Sequence, residues 1–192
     1  MPIPVASCQL LRQPSLDPGV FVPAAAPSSS LARPHAVVLD LCCGSGTVGA
    51  AVRCARRNIA AHGQVYEGDL YDDPLPAALR GRVDMLVANA PQVPTEAIGM
   101  MPPETHLHEA RIALDGGVDG LDVQRRVAPP RHCGWHPGHL LVETSERQAP
   151  HTLEIFAHHG LVPGVAFSDE LNATVVIGTQ CTDEAEMLKV WR

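Results

Sequence analysis

The pattern of hydrophobic and polar positions changes sharply near residue 36 of this 192-residue chain. Before that point, seven prolines and a run of three serines interrupt the sequence, so residues 1–35 are predicted to form an irregular arm. After it, short apolar runs alternate with stretches of helical spacing. The pattern therefore predicts one folded domain over residues 36–180 and a C-terminal tail over residues 181–192.

Six apolar runs in the domain are predicted to be β-strands, and several are apolar at consecutive positions, as in a sheet that is covered on both faces. The strands are predicted at residues 36–41, 64–70, 83–89, 139–144, 161–169 and 173–179, and helices at residues 47–61, 121–128 and 145–159. Strands that alternate with helices predict an α/β fold with a mostly parallel sheet. The short connection between the last two strands predicts an antiparallel edge at the C-terminal end.

Composition fits a globular domain and argues against several other classes. The chain is 45% apolar and 18% charged, and its formal charge of −7 gives no general attraction to phosphate backbones, so naked nucleic acid is not an expected partner. Six cysteines without CxxC spacing favour a reducing, cytoplasmic location. No apolar run is long enough to span a membrane, and no membrane partner is expected.

Candidate ligand-binding residues follow the first predicted strand, in VVLDLCCGSG, where ligands collect in a parallel sheet. Small residues in such a turn let a ligand approach the backbone and the amides of the next helix. The residues concerned are Asp40, Cys42, Gly44 and Gly46. Two alternatives stay open at this point: a tight strand-to-helix turn without a ligand, and a NAD-dependent oxidoreductase with its GxGxxG spacing.

A second polar group follows the strand at residues 83–89, in VDMLVANAPQVP. Asn89 ends that strand, at a place where dinucleotide-binding proteins need no polar side chain, and Asp40 can face a cationic ligand. Together these residues favour a methyl donor over NAD. The alternative for Asn89 is a side chain that caps the local backbone.

The two runs resemble the class I S-adenosylmethionine-dependent methyltransferases, whose first motif is close to Asp-Leu-Gly-Cys-Gly-Ser-Gly; here Cys42 stands where that motif has its first glycine. More narrowly, NAPQVP, HEARIALDGGVDGLD and HLLVETSERQ occur in the order found in the protein N5-glutamine methyltransferases, the HemK or release-factor type. The resemblance covers residues 36–179. It implies a Rossmann-like fold, S-adenosyl-L-methionine as the methyl donor and a protein glutamine as the acceptor, with a release-factor-like glutamine as one candidate.

The resemblance also implies a role for each matching residue. Asp40, Cys42, Gly44, Gly46, Asp69 and Asn89 would bind the donor; Asn89, Ala90 and Pro91 would be catalytic; Gln92 and Glu109 would contact the substrate. Helix capping is the alternative for Asp69, and an exposed ion pair is the alternative for Glu109 with Arg111. No metal is expected, because His132, Cys133, His136 and His139 straddle Pro137-Gly138 and share no regular face.

Three departures from the family pattern bear on activity. Ala90 and Gln92 stand in a motif that is Asn-Pro-Pro-Tyr in the family. The second strand and the ribose-binding carboxylate expected after the glycine turn are missing, and Glu67 is a candidate substitute. The N-terminal helical substrate domain of the family is not visible in residues 1–35. These departures keep open a second hypothesis, a methyltransferase-like remnant with impaired donor binding.

Overall fold

The computed structural model describes residues 7–12, 37–42, 63–67, 70, 79, 81–102, 111–129 and 138–180. The strands in these ranges are β1 (Ser7–Arg12), β2 (Val37–Asp40), β3 (Gly63–Glu67), β4 (Met85–Ala88), β5 (His139–Thr144), β6 (Val162–Ser168) and β7 (Ala173–Thr179). The α-helices are α1 (Arg111–Leu114), α2 (Asp122–Val127) and α3 (Ala149–His158), and Ile98–Met100 form one 3₁₀ turn. No helix of this described part is both long and apolar enough to cross a bilayer.

The strands form one sheet in the order β3-β1-β2-β4-β5-β7-β6. The pairs β2/β4 and β4/β5 are parallel, whereas β1 and β7 run antiparallel to both of their neighbours. Consequently β2, β3, β4, β5 and β6 share one direction. The predicted α/β sheet with an antiparallel C-terminal edge is confirmed.

Strand β1 lies within the arm that the sequence predicted to be irregular, and for Ser7–Arg12 that prediction is wrong. Residues 5–13, between Pro4 and Pro14, contain no proline, so the backbone amides of β1 remain available for pairing. Leu10 pairs with Leu39 of β2 on one side and with Gln64 of β3 on the other. In doubly wound sheets of order 3-2-1-4-5, this place between the first and third strands belongs to the second strand. Here β1 occupies that place and runs in the opposite direction.

Helix α3 has clear start and stop signals. Pro150 stands in its first turn, where a missing amide hydrogen costs nothing. Gly160 follows the helix with φ of +83°, a left-handed conformation that glycine adopts without steric strain. The helices predicted at residues 121–128 and 145–159 correspond to α2 and α3, whereas α1 was not predicted. The helix predicted at residues 47–61 lies outside the described residues.

Successive side chains of the central strands point alternately into two buried apolar clusters, one on each face of the sheet. The larger cluster contains Leu39, Leu86 and Leu140 and includes Phe156 of α3. The smaller contains Met85, Leu141, Val175 and Ile177. Because successive strand residues point to opposite faces, consecutive apolar positions are what a sheet buried on both faces requires.

Candidate active site

The candidate site lies where β2 and β4 end, at the same edge of the sheet. Asp40 is the last residue of β2 and pairs with Val87, two residues before Asn89. The Leu41 amide donates to the Val87 carbonyl oxygen at 2.9 Å and extends this parallel pairing past the end of β2. Since Val142 of β5 pairs with Ala88, the end of β5 lies on the other side of β4. The fold therefore brings Asp40 and Asn89 to one edge, as predicted.

Asp40 is a partly buried carboxylate in this edge. Its Oδ1 accepts a hydrogen bond from the Cys42 amide at 3.1 Å. Burial raises the pKa of Asp40 from 3.8 to about 6, although the bond from Cys42 acts in the opposite direction. A carboxylate that has lost hydration gains more than an exposed one from a nearby cation.

Asn89 begins the segment that we call the acceptor loop, residues 89–95. Its side chain is exposed, whereas the next residue, Ala90, is only 2% exposed. The Asn89 side chain makes no hydrogen bond to another described residue, so the structure gives no support to the capping alternative. The loop thus presents a polar side chain on an anchored backbone.

The rest of the acceptor loop is fixed by the segment that follows α1. The Val93 amide donates to the Leu114 carbonyl oxygen at 2.9 Å, and the Gly116 amide donates back to the Val93 carbonyl oxygen at 2.9 Å. A further bond of 2.8 Å runs from the Thr95 amide to the Gly117 carbonyl oxygen. These bonds form a short parallel bridge that restrains the loop.

Asp115 reinforces this bridge with its side chain. The Thr95 hydroxyl donates to Asp115 Oδ1 at 2.6 Å, and the Gly117 amide donates to the same oxygen at 3.1 Å. The Thr95 bond is the largest of the effects that lower the pKa of Asp115. Arg111 forms an exposed ion pair with Asp115 one helical turn away, at 3.3 Å. The alternative interpretation of Arg111 as part of an exposed ion pair fits this contact with Asp115, and Glu109 lies outside the described residues.

A third element reaches the loop through Gln148, directly before α3. Its Nε2 donates to the backbone carbonyl oxygen of Gln92 at 2.9 Å and lies 3.3 Å from that of Asp119. Gly120 allows this approach: its φ is +79°, and a Cβ there would overlap both the Gln92 carbonyl oxygen and Gln148 Nε2. The acceptor loop, the loop before α2 and the start of α3 therefore meet at one amide group.

A buried polar network lies behind Gln148. Thr152 donates to Gln124 Oε1 at 2.6 Å, and Gln124 Nε2 donates to the Thr144 hydroxyl at 3.2 Å. Gln124 and Thr152 are fully buried. The network links α2, α3 and the end of β5, the elements that carry the loop contacts.

Gln92 stands where the related motif has an aromatic ring. Its side-chain Oε1 is buried and has no hydrogen-bond partner among the described residues. Buried amide oxygens are usually paired, because losing water without a replacement bond costs free energy. The Gln92 side chain is therefore less well satisfied by hydrogen bonds than the loop backbone around it. Its role in substrate contact stays a prediction.

Several predicted site residues lie outside the described part of the chain: Gly44, Gly46, Asp69, Glu109, His132, Cys133 and His136. Of the histidine and cysteine cluster, His139 alone is described. It begins β5, at the opposite edge of the sheet from Asn89, and its Nδ1 lies 3.1 Å from the Thr179 hydroxyl.

The sequence motif HLLVETSERQ gave no prediction of a role for Gln148. One signal was available: Ser145 and Gln148 have the S-x-x-Q spacing of a helix start. The Ser145 hydroxyl does bond Gln148, at 2.7 Å to Oε1. Gln148 also contacts the carbonyl oxygens of two distant loops, and the spacing of nearby residues cannot predict these contacts.

Comparison with known proteins identifies relatives that are similar to this chain. The chain is 34% identical over 167 residues to a release factor glutamine methyltransferase of Geobacter sulfurreducens, covering 85% of this chain and 56% of that protein. The chain is similar to protein glutamine methyltransferases over most of its length. No protein-family model matches it.

Two further relatives have similar names. A ribosomal protein uL3 glutamine methyltransferase of Bradyrhizobium diazoefficiens is 38% identical over 125 residues, 52% of this chain and 38% of that protein. A release factor glutamine methyltransferase of Cereibacter sphaeroides is 31% identical over 140 residues, 62% of this chain and 50% of that protein. The chain thus spans about half the length of the curated relatives that it matches.

Proposed function

We propose that this chain transfers a methyl group from S-adenosyl-L-methionine to the side-chain amide nitrogen of a protein glutamine. The observation that carries the proposal is the exposed Asn89 amide on an acceptor loop that neighbouring segments hold in place. Asp40 lies at the same edge of the sheet, and the relatives are named as glutamine methyltransferases.

An amide nitrogen is a poor nucleophile because its lone pair is delocalised into the carbonyl group. Catalysis must therefore come from position and from hydrogen-bond acceptors rather than from a strong base. In the proposed site the Asn89 side-chain oxygen and the Ala90 backbone oxygen accept hydrogen bonds from the substrate NH₂. Pro91 stiffens the backbone directly after them, since proline fixes its own φ.

The described residues fit a cationic donor. The donor supplies a methyl group bound to positively charged sulfur. Asp40 would face its cationic part; burial raises the pKa of this carboxyl to about 6, and a bound cation would stabilise its ionised form. Cys42 holds Asp40 in place through its amide. Gly44, Gly46 and Asp69 stay predictions for the rest of the donor site.

For the acceptor protein, a release factor or ribosomal protein uL3 is the natural first choice, because relatives are named for these substrates. Gln92 and Glu109 are proposed to contact it. The cytoplasm is the proposed compartment, on the grounds of cysteine usage alone.

The decisive variant is Asn89→Ala. We expect it to lower kcat for methyl transfer by about a hundredfold or more, because the substrate amide loses an oriented acceptor in the transition state. Donor affinity should change less than about twofold, since the backbone of the loop remains. The measurements are transfer of labelled methyl to purified release factor and to uL3, and calorimetry with S-adenosylmethionine.

Glu154→Ala, an exposed change on α3, is the matched control and should leave both quantities unchanged. A normal rate for Asn89→Ala would refute its assigned role. Absence of donor binding by the wild-type chain would favour the impaired remnant, and binding of NAD instead would favour an oxidoreductase.

A further inference from the structure

The orientation of the Gln148 side-chain amide is fixed by its partners. The carbonyl oxygens of Gln92 and Asp119 can only accept hydrogen bonds, so both must face Nε2. The Ser145 hydroxyl then donates to Oε1 at 2.7 Å. No flipped orientation satisfies all three contacts.

The backbone that carries this amide is itself anchored. The Gln148 amide donates to the Ser145 carbonyl oxygen at 3.0 Å, and the Thr152 amide donates to the Gln148 carbonyl oxygen at 3.0 Å. Thr152 belongs to the buried network with Gln124. The Gln148 side chain therefore fixes the position of the acceptor loop relative to α3.

The point of attachment lies close to the proposed chemistry. Gln92 is two residues after Ala90, whose carbonyl oxygen is a proposed acceptor for the substrate amide. Displacement of a reacting group by about 1 Å can cost on the order of a hundredfold in rate. A bond to the Gln92 carbonyl can thus affect methyl transfer without touching the substrate.

We propose that Gln148 is a positioning residue for methyl transfer, which sets the place of the Asn89-Ala90 acceptor pair by clamping the acceptor loop to the start of α3. This inference rests on the proposed function of the site. Gly120 is part of the same arrangement, because only a residue without Cβ leaves room for the clamp.

The test compares Gln148→Glu and Gln148→Ala with the wild-type chain. Glutamate has nearly the same shape, but its carboxylate cannot donate and would face two carbonyl oxygens. We expect kcat to fall about ten- to a hundredfold in both variants, with less than a twofold change in KM for S-adenosylmethionine. Gln180→Glu is the control, since it makes the same chemical change just after β7, at the opposite edge of the sheet.

The pH dependence separates a positioning bond from a general packing effect. In the Gln148→Glu variant, the protonated form of the introduced carboxyl group can donate one hydrogen bond to a carbonyl oxygen. The kcat of this variant relative to wild type should therefore recover as the pH is lowered. Gln148→Ala has no donor at any pH and should show no recovery. Recovery in both variants or in neither would overturn the proposal.

Hydrogen exchange provides a readout that does not depend on activity. Loss of the clamp should speed exchange at the Val93, Thr95 and Gly116 amides, while the amide of Leu141 in β5 keeps its protection. If wild type methylates neither purified release factor nor uL3, the proposed function fails for these substrates and exchange alone decides the clamp. Unchanged exchange in Gln148→Ala, or an equal loss of protection in β5, would overturn it.

Discussion

At the scale of single residues, Asp40 gives the site a defined dependence on pH. Its pKa of about 6 lies above the unfolded value of 3.8 because burial disfavours the charged form. The proposed donor is a cation and needs the ionised form, so affinity should fall about tenfold per pH unit below the pKa. Calorimetry between pH 5 and 7.5 measures this. Asp40→Asn should bind donor weakly at every pH, whereas the exposed Asp169→Asn should behave as wild type.

The raised pKa of Asp40 also affects the stability of the fold, in the opposite direction with pH. A raised carboxyl pKa means that the folded state binds its proton more tightly than the unfolded state. The stability from this group is fully present below pH 3.8 and is lost as the pH rises through about 6. At pH 7 we therefore expect Asp40→Asn to raise the free energy of unfolding by about 1–3 kcal/mol, measured in urea. A loss of stability at pH 7 would contradict burial as the cause.

The sequence was sufficient to locate Asp40 and Asn89, because a polar residue directly after an apolar strand must lie at the carboxyl end of that strand. It was not sufficient for Gln148. That side chain bonds carbonyl oxygens 56 and 29 residues away, and a backbone carbonyl oxygen looks the same in every residue type. Contacts of this kind depend on the packing of separate segments, which local spacing does not encode.

At the scale of elements, the buried bond between Thr152 and Gln124 joins α3 to α2. Thr152→Val keeps the volume and removes the hydroxyl that donates to Gln124 Oε1. Burial makes the unpaired oxygen costly, so we expect a loss of about 1–3 kcal/mol in the free energy of unfolding.

The double variant Gln124→Leu/Thr152→Val tests the coupling directly. It removes both partners, and its loss should be smaller than the sum of the two single losses. Urea unfolding of all four proteins measures the interaction. Strict additivity, or a loss below about 0.5 kcal/mol for Thr152→Val, would mean that the bond does not couple the helices.

The elements themselves were predictable to unequal degrees. Runs of consecutive apolar residues identified β2, β4, β5 and β7, because a strand buried on both faces tolerates few polar side chains. Strand β1 was missed, since the prolines around it dominate the composition of the arm and six residues give a weak alternating pattern. Its pairing also depends on β2 and β3, which lie far along the chain.

At the scale of the whole molecule, β1 is the link between β3 and the remaining sheet. It pairs with β2 on one side and β3 on the other, so the sheet would be interrupted without it. The described sheet would then lose the strand that lies between β2 and β3. Strand β1, from the proline-rich arm, is therefore an inner strand of the sheet.

Leu10→Pro tests this arrangement, because Leu10 lies in an inner strand and pairs on both sides. Proline lacks the amide hydrogen needed by the ladder and is confined to edge strands, as Pro163 is in β6. We expect the free energy of unfolding to fall by about 3 kcal/mol or more. Circular dichroism during urea unfolding measures this loss. Leu10→Val keeps the amide and suits a strand, so it should remain near wild type. If Leu10→Pro unfolds at the wild-type midpoint, β1 contributes nothing to the stability of the sheet, and the place beside β2 must be filled in another way.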